Sequence, residues 1–232
     1  NISVGFPVSP PGEVPSLIGS DGRFHSVGLL GKLLRREIRR EELVRELTAQ
    51  AALLADAGIR ITHFDGHQNK HLYPMYFEAA LEVSRKFGIR AVRTHRRLLY
   101  TFRGPIKATG AMRYYLTHPT RLATHIAGRV RTQMAGLQGF ASADRLITPG
   151  YADATHKTLR EFWEVLARTL PGGVSEVYCH PAVPDELLRA NARYVDERAE
   201  ELRVLTDPSL KQLYDEMGIE VISFQELVGT RR

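Results

Sequence analysis

The segment ITHFDGHQNKHLYP, residues 61–74, gathers three histidines and an aspartate where a strand pattern gives way to a helix pattern. His63, Asp65 and His67 share parity, so their side chains lie on one face while the chain is extended. Imidazole and carboxylate groups clustered in this way can ligate a divalent ion or transfer protons. A structural role is the ordinary alternative, which we favour for His63, whereas we favour a functional role for His67.

His71 adds a second candidate metal ligand to the same segment. It follows His67 by four residues, the spacing at which a helix presents two metal ligands together. Pro74, however, is placed to be the first helical residue, and it biases Tyr73 away from the helical conformation. The segment between the two histidines is therefore predicted to be a loop, which can still bring both imidazoles to one ion.

Two further polar residues follow predicted strands. Arg93 stands near the end of IRAVRTH, and His180 stands at the end of VSEVYCH. Ligands of parallel α/β folds bind at the carboxyl ends of the strands, so we expect His67, Arg93 and His180 to point into one crevice. His180 could transfer a proton or merely hydrogen-bond a loop, and Arg93 is expected to contact a substrate or a carboxylate rather than solvent alone.

Other kinds of catalysis are disfavoured. Cys179 precedes His180, but adjacent strand residues face opposite ways, so a Cys–His dyad is not expected and Cys179 is predicted to lie in the core. The chain lacks a serine elbow, a glycine-rich phosphate loop and a dinucleotide fingerprint, which argues against serine hydrolases, kinases and dehydrogenases. Apolar residues at helical spacing in HKTLREFWEVLARTL are predicted to be core: Leu159, Phe162, Trp163 and Leu166.

The elements that must position these residues alternate between helix and strand. A helical pattern over 29–57 is followed by the strand IRITHFDG, the helix PMYFEAALEVSRKF and the strand IRAVRTH. A helix followed by a strand occurs twice more, as HKTLREFWEVLARTL before VSEVYCHP and as PSLKQLYDEMG before IEVISF. This alternation predicts a parallel sheet, either a barrel or an open doubly wound sheet. Residues 98–150 are interpreted as an insertion that contains a helix interrupted at Pro119 and a loop, LITPGYAD.

Length and composition indicate one α/β domain over 1–232. At 232 residues and 43% hydrophobic, the chain can bury a full core. No apolar run approaches the roughly 18 residues that a membrane span requires. The single cysteine excludes an internal disulfide and fits a reducing compartment, so a cytoplasmic location is expected.

The net charge of +6 is concentrated in one stretch. Between Glu82 and Asp144 there is no acidic residue. The basic residues of this stretch are Arg85, Lys86, Arg90, Arg93, Arg96, Arg97, Arg103, Lys107, Arg113, Arg121, Arg129 and Arg131. A solvated basic surface is the ordinary explanation, and a footprint for phosphate, nucleic acid or an anionic membrane is the alternative. No nucleic-acid-binding motif overlies the run, so a nucleic-acid partner is not expected.

The motifs THFDGHQNKHLYP, GIRAVR and EVYCHPA resemble, in this order, those of the YdjC-like carbohydrate deacetylases, a family that includes chitooligosaccharide deacetylase and a hopanoid-biosynthesis-associated member. The resemblance extends from GFPVSPP to GIEVISFQEL, nearly the whole chain. It implies a distorted, TIM-like (β/α) barrel with parallel strands. It also implies one divalent ion, Mg²⁺ or Zn²⁺, and removal of the acetyl group from an N-acetylated sugar or chitooligosaccharide.

The resemblance implies roles for individual residues. His67 matches the metal-ligating histidine of the family, and Asp65 and His71 line the same pocket as substrate-binding residues. His180 matches the catalytic acid, and Arg93 matches a residue of the substrate pocket.

The sequence departs from the family pattern at its start. The family's opening ADDFG segment, with a metal-binding aspartate and the aspartate proposed as base, is absent, and a further histidine ligand would stand immediately before Asn1. The chain is therefore interpreted as truncated before its first strand or strands, with one of three expected protein ligands retained. The expected partner is an N-acetylated sugar, with a homodimer left open, and the alternative function is a sugar- or anion-binding barrel without catalysis.

Overall fold

A computed structural model describes residues 1–101, 104–147, 156–192 and 194–230. Their contacts divide the chain into two compact units. Unit 1 comprises Asn1–Arg93, Ala127–Ser142 and Ser223–Arg232, and unit 2 comprises Thr94–Ile126 and Ala143–Ile222. The single domain expected over 1–232 stays a prediction.

Helices make up most of the regular structure. The α-helices are α1 (Leu29–Leu34), α2 (Arg40–Asp56), α3 (Pro74–Lys86), α4 (Ala108–Thr117), α5 (Pro119–Leu137), α6 (His156–Thr169), α7 (Glu186–Asn191), α8 (Asp196–Leu205), α9 (Pro208–Glu216) and α10 (Phe224–Thr230). Short 3₁₀ turns lie at Pro11–Glu13, Pro15–Leu17 and His67–Leu72. Among the described residues, every helix is too short or too polar to span a bilayer.

The strands are short and mainly parallel. They are β1 (His63–Phe64), β2 (Ala91–Val92), β3 (Arg97–Leu98), β4 (Tyr100–Thr101), β5 (Gly104–Pro105), β6 (Arg145–Ile147) and β7 (Ser175–Val177). In unit 1, β1 pairs with β2 in parallel. In unit 2, β3, β6 and β7 form a parallel sheet in that order, and β4 and β5 form an antiparallel pair. The predicted α/β class with parallel strands is confirmed, whereas no closed barrel is seen among the described strands.

In unit 1, the helical pattern over 29–57 is divided into two helices. Arg36 adopts a left-handed conformation with φ of 59°. The amide of Glu37 donates to the carbonyl of Lys32, five residues earlier. This hydrogen bond is typical of a helix that ends at a left-handed residue. The predicted strand–helix–strand order of 59–95 is confirmed, since α3 begins at Pro74 between β1 and β2.

In unit 2, the predicted break at Pro119 is confirmed, because α4 ends at Thr117 and α5 begins at the proline. The prediction of a loop over LITPGYAD was wrong at its start. Leu146 and Ile147 belong to β6, where both are buried and are paired with β3 and β7. Residues 148–153 of that loop lie outside the described residues.

The predicted strand IEVISF is not formed. Val221 is largely exposed, and Phe224, the last residue of the predicted strand, instead begins α10. The Ser223 amide donates to Glu226 Oε2 (2.6 Å), and the Glu226 amide donates to Ser223 Oγ (3.3 Å). This reciprocal pair is a capping box, and its helix-starting signal prevails over the β-branched residues before it.

Each unit has its own apolar core. In unit 1, α1, α2 and α3 pack on the N-terminal segment, with Leu43 and Ala79 fully buried. In unit 2, the predicted core residues of α6 are confirmed, since Leu159, Phe162, Trp163 and Leu166 are buried. Cys179 packs against this second core, as its strand parity predicts.

Two glutamates of α2 hold the N-terminal segment of unit 1. Glu46 is fully buried and accepts from the amides of Val8 (3.0 Å) and Ser9 (2.9 Å). One turn earlier, Glu42 accepts from the amide of Ser16 (2.7 Å). These carboxylates satisfy amides of a segment without regular pairing, which explains why charged residues occupy the buried face of α2.

We expect Glu46→Ala to lower the free energy of unfolding by about 3 kcal/mol, because two amides lose a charged acceptor and that of Ser9 lies in a buried residue. Urea unfolding followed by circular dichroism measures this change. Glu41→Ala is the matched control, since Glu41 is exposed on the same helix and should change stability by less than about 0.5 kcal/mol. Equal effects of the two substitutions would contradict the anchoring role.

Candidate active site

The parallel pair β1–β2 places two of the predicted site residues side by side. His63 is registered with Ala91 and Phe64 with Val92, so the residue after each strand emerges at the same edge. There Arg93 Nη1 lies 2.5 Å from Asp65 Oδ2. The two side chains are 19% and 28% exposed, so this ion pair is partly shielded from water.

The loop after Asp65 returns His71 to the same carboxylate. Gln68 and Asn69 are both left-handed, with φ of 54° and 58°, so residues 67–72 do not form a regular helix and the loop prediction is correct. His71 Nδ1 lies 3.7 Å from Asp65 Oδ1. Left-handed non-glycine residues cost about 1 kcal/mol or more each, and such strain is concentrated at functional sites.

Gly66 makes room for the imidazole of His71. A Cβ on Gly66 would lie 2.5 Å from His71 Nδ1 and 2.6 Å from His71 Cβ, distances that no side chain tolerates. The backbone of Gly66, with φ of −121° and ψ of 138°, is open to any residue. A glycine is therefore required at position 66 because His71 packs against it, and not because of its backbone conformation.

His71 is held as a neutral base. Burial lowers its pKa to about 4, opposed by the charge of Asp65 and by the backbone of Gly66. The ring also meets Phe64 edge-on, with centroids 5.8 Å apart. A neutral imidazole keeps a nitrogen lone pair at pH 7, which is the form that binds a metal ion.

The buried His71 should make the metal-free protein sensitive to mild acid. The His71 ring binds a proton less readily in the folded state than in the unfolded chain. Its contribution to the free energy of unfolding is therefore complete above about pH 6.5, and about 3 kcal/mol of it is lost as the pH falls towards 4. Urea unfolding in chelator between these pH values measures it. His71→Gln should flatten this part of the profile, and an unchanged slope would contradict the assignment.

Asp65 and His71 of unit 1 could hold a metal ion together. Each offers one ligand atom, and these two atoms lie within 4.8 Å of each other. An imidazole and a carboxylate are donors that suit zinc and related divalent ions.

The other two histidines of the motif differ in their surroundings. His63 stacks on Phe224 with centroids 3.8 Å apart, and burial lowers its pKa, which agrees with the structural role favoured for it. His67 is exposed, and its pKa is lowered first by partial burial and then by Lys70. The role of His67 as a metal ligand stays a prediction.

In unit 2, His180 follows β7, and hydrogen bonds to α8 hold the backbone around it. Its amide donates to Oε2 of the fully buried Glu201 (2.6 Å), and the Ala182 amide donates to the Arg198 carbonyl (3.2 Å). Helix α8 therefore holds this loop at two points.

Two aromatic rings flank the imidazole of His180. Those of Tyr178 and Tyr194 meet it edge-on, with centroids 5.5 and 5.8 Å away. The half-buried His180 ring thus contacts two tyrosines, while Cys179 packs on the core. The meeting of His67, Arg93 and His180 in one crevice stays a prediction.

Comparison with known proteins places these residues in a family context. The profile of the family described as "YdjC-like protein" matches residues 1–216. A carbohydrate deacetylase of Geobacillus stearothermophilus is 29% identical over 221 residues, which cover 94% of this chain and 71% of that protein. A carbohydrate deacetylase of Brevibacillus brevis is 26% identical, over 97% of this chain and 75% of its own length.

A solved structure shares the fold. It belongs to an Enterococcus faecalis V583 protein assigned to cellobiose-phosphate cleavage, and it superposes with a TM-score of 0.69 over 98% of this chain and 75% of that one. At 21% sequence identity, this likeness concerns the fold alone.

Proposed function

The chain belongs to the YdjC-like protein family, and from this membership we propose that it is a hydrolase that removes an acetyl group from an N-acetylated sugar or chitooligosaccharide. The family match over residues 1–216, with relatives named carbohydrate deacetylases, is the observation that supports this proposal most. The distorted TIM-like barrel implied by the motifs is part of the proposal. So is the single domain over 1–232 with an insertion over 98–150.

The proposed reaction uses one divalent ion, zinc or magnesium. Asp65 and His71 would hold it, because their ligand atoms lie close together and the lowered pKa of His71 keeps that ring neutral. His67, the ligand that the motif implies, is proposed to join the ion from the exposed side of the loop. When bound, such an ion supplies Lewis acidity, polarising the acetyl carbonyl and making water a better nucleophile.

The protein's own groups have three tasks in this proposal. Arg93 orients the Asp65 carboxylate through their ion pair, and it also takes part in binding the sugar, with Asp65 and His71. Gly66 lets His71 occupy its buried position. His180 acts as general acid that protonates the departing sugar amine, because an imidazole titrates near the working pH.

The test is acetate release from N-acetylated chitooligosaccharides by the intact protein. We expect turnover with added Zn²⁺ or Mg²⁺, loss of at least about 10²-fold on chelation, and recovery when the ion is restored. Peracetylated xylose carries O-acetyl groups only, so it is the control that distinguishes hydrolysis of an N-acetyl amide from hydrolysis of an O-acetyl ester. Tight sugar binding without acetate release under all these conditions would favour a binding barrel that has lost the chemistry.

A further inference from the structure

Helix α4 of unit 2 packs little against the protein interior. None of its ten residues is buried, and Met112 and Leu116 are 63% and 73% exposed. A helix of this length is marginal in water without a packed face, because most helical stability in proteins comes from tertiary contacts. The exposed apolar residues of α4 therefore point to a partner.

The exposed residues of α4 form one stripe. They recur at helical spacing and are Ala108, Thr109, Met112, Arg113, Leu116 and Thr117. On other positions, Tyr115 contacts His125 of α5 with ring centroids 5.0 Å apart, and Tyr114 stacks on His118 at 4.6 Å. One side of the helix is thus held by aromatic contacts, while the side with Met112 and Leu116 faces solvent.

The charge around this stripe has a single sign. Lys107 precedes α4, Arg113 lies between the two apolar residues, and Arg121 stands at the start of α5; all three are exposed. No acidic residue occurs anywhere between Glu82 and Asp144. The stripe therefore complements an anionic partner, since no carboxylate of this segment neutralises its cations.

Two anionic partners fit a basic surface, and the apolar residues distinguish between them. A nucleic-acid backbone would be contacted by Lys107, Arg113 and Arg121 but would leave Met112 and Leu116 exposed. A lipid bilayer offers phosphates to the cations and an acyl boundary to the apolar side chains at the same depth. Met and Leu on one face with flanking Arg and Lys are typical of helices that lie in the bilayer interface.

We propose that the exposed stripe of α4, with Lys107 and Arg121, docks the protein on an anionic lipid bilayer. Met112 and Leu116 enter the boundary between headgroups and acyl chains, and the three cations bind lipid phosphates. The contact is peripheral and reversible, because one short amphipathic stripe gives weak anchoring.

Sedimentation with phosphatidylcholine vesicles, with and without phosphatidylglycerol, tests this proposal on the intact protein. We expect binding only when phosphatidylglycerol is present. The double substitution Met112→Gln and Leu116→Gln keeps good helix formers and should weaken binding by at least about tenfold. Leu187→Gln is the matched control, because Leu187 is also 73% exposed on a helix of unit 2, and it should bind like the parent.

A second double variant tests the electrostatic contribution to vesicle binding. Arg113→Gln with Arg121→Gln should weaken vesicle binding by roughly thirtyfold, and added salt should weaken the parent. The proposal is overturned if vesicles do not bind, if the Met112/Leu116 variant binds like the parent, or if duplex DNA binds instead of vesicles. Circular dichroism and acetate release from a water-soluble substrate should be unchanged in all variants, which separates this proposal from the proposed hydrolase activity.

Discussion

Replacing Gly66 with alanine should lower both divalent-ion affinity and acetate release by about 10²-fold. The added methyl group would lie 2.5 Å from His71 Nδ1, so either the imidazole or the loop backbone must shift. His71 is fully buried, and buried side chains in close-packed interiors have little room to shift. The ligand nitrogen is then displaced, although the backbone angles at Gly66 suit alanine.

The measurement is calorimetric titration with Zn²⁺ together with acetate release at saturating ion. Gly12→Ala is the matched control, because a Cβ there meets nothing within 4 Å and should leave both quantities as in the parent. Circular dichroism establishes that the Gly66 variant is folded. A folded Gly66→Ala protein with parental ion affinity would show that His71 is not a ligand.

Replacing His180 with glutamine should reduce kcat by a factor of about 10²–10⁴ while leaving ion affinity unchanged. The substitution removes the proton donor proposed for the departing amine but keeps the amide that donates to Glu201. The loop on α8 therefore stays in place, and the loss should concern the chemical step.

Steady-state kinetics and the same calorimetric titration separate these effects. His118→Gln is the control, since His118 is exposed at the end of α4 and has no proposed part in the reaction. If His180→Gln keeps more than about a tenth of the parental kcat, general acid catalysis by His180 is excluded.

Much of the local structure could be predicted from the sequence because it depends on local signals. Pro74 starts α3 and Pro119 starts α5, as the restricted φ of proline at the first helical position requires. The apolar spacing of Leu159, Phe162 and Leu166 predicted a buried face, which α6 presents to the core of unit 2. These features need no information from distant parts of the chain.

Other features depend on tertiary contacts and escaped prediction. Glu46 looks like a surface residue of α2, yet it is buried because amides 37 and 38 residues away need an acceptor. The division of 29–57 required the left-handed Arg36, a residue that carries no such signal. Only the capping box that starts at Ser223 was legible in the sequence and overlooked.

The candidate site shows the same division. The position of Arg93 after its strand predicted a contact with a substrate or a carboxylate, and Arg93 pairs with the carboxylate of Asp65. The inward return of His71 depends on two left-handed residues, Gln68 and Asn69, so four-residue spacing alone could not predict its position.

The most direct test of a divalent-ion site at Asp65 and His71 is anomalous diffraction from crystals of the intact protein grown with Zn²⁺. We expect one strong peak about 2.0–2.2 Å from a carboxylate oxygen of Asp65 and from a ring nitrogen of His71, and we expect Asp65→Asn to weaken or remove it. A fully occupied ion bound elsewhere, with Asp65 and His71 both outside its coordination sphere, would contradict a divalent-ion site at these two residues.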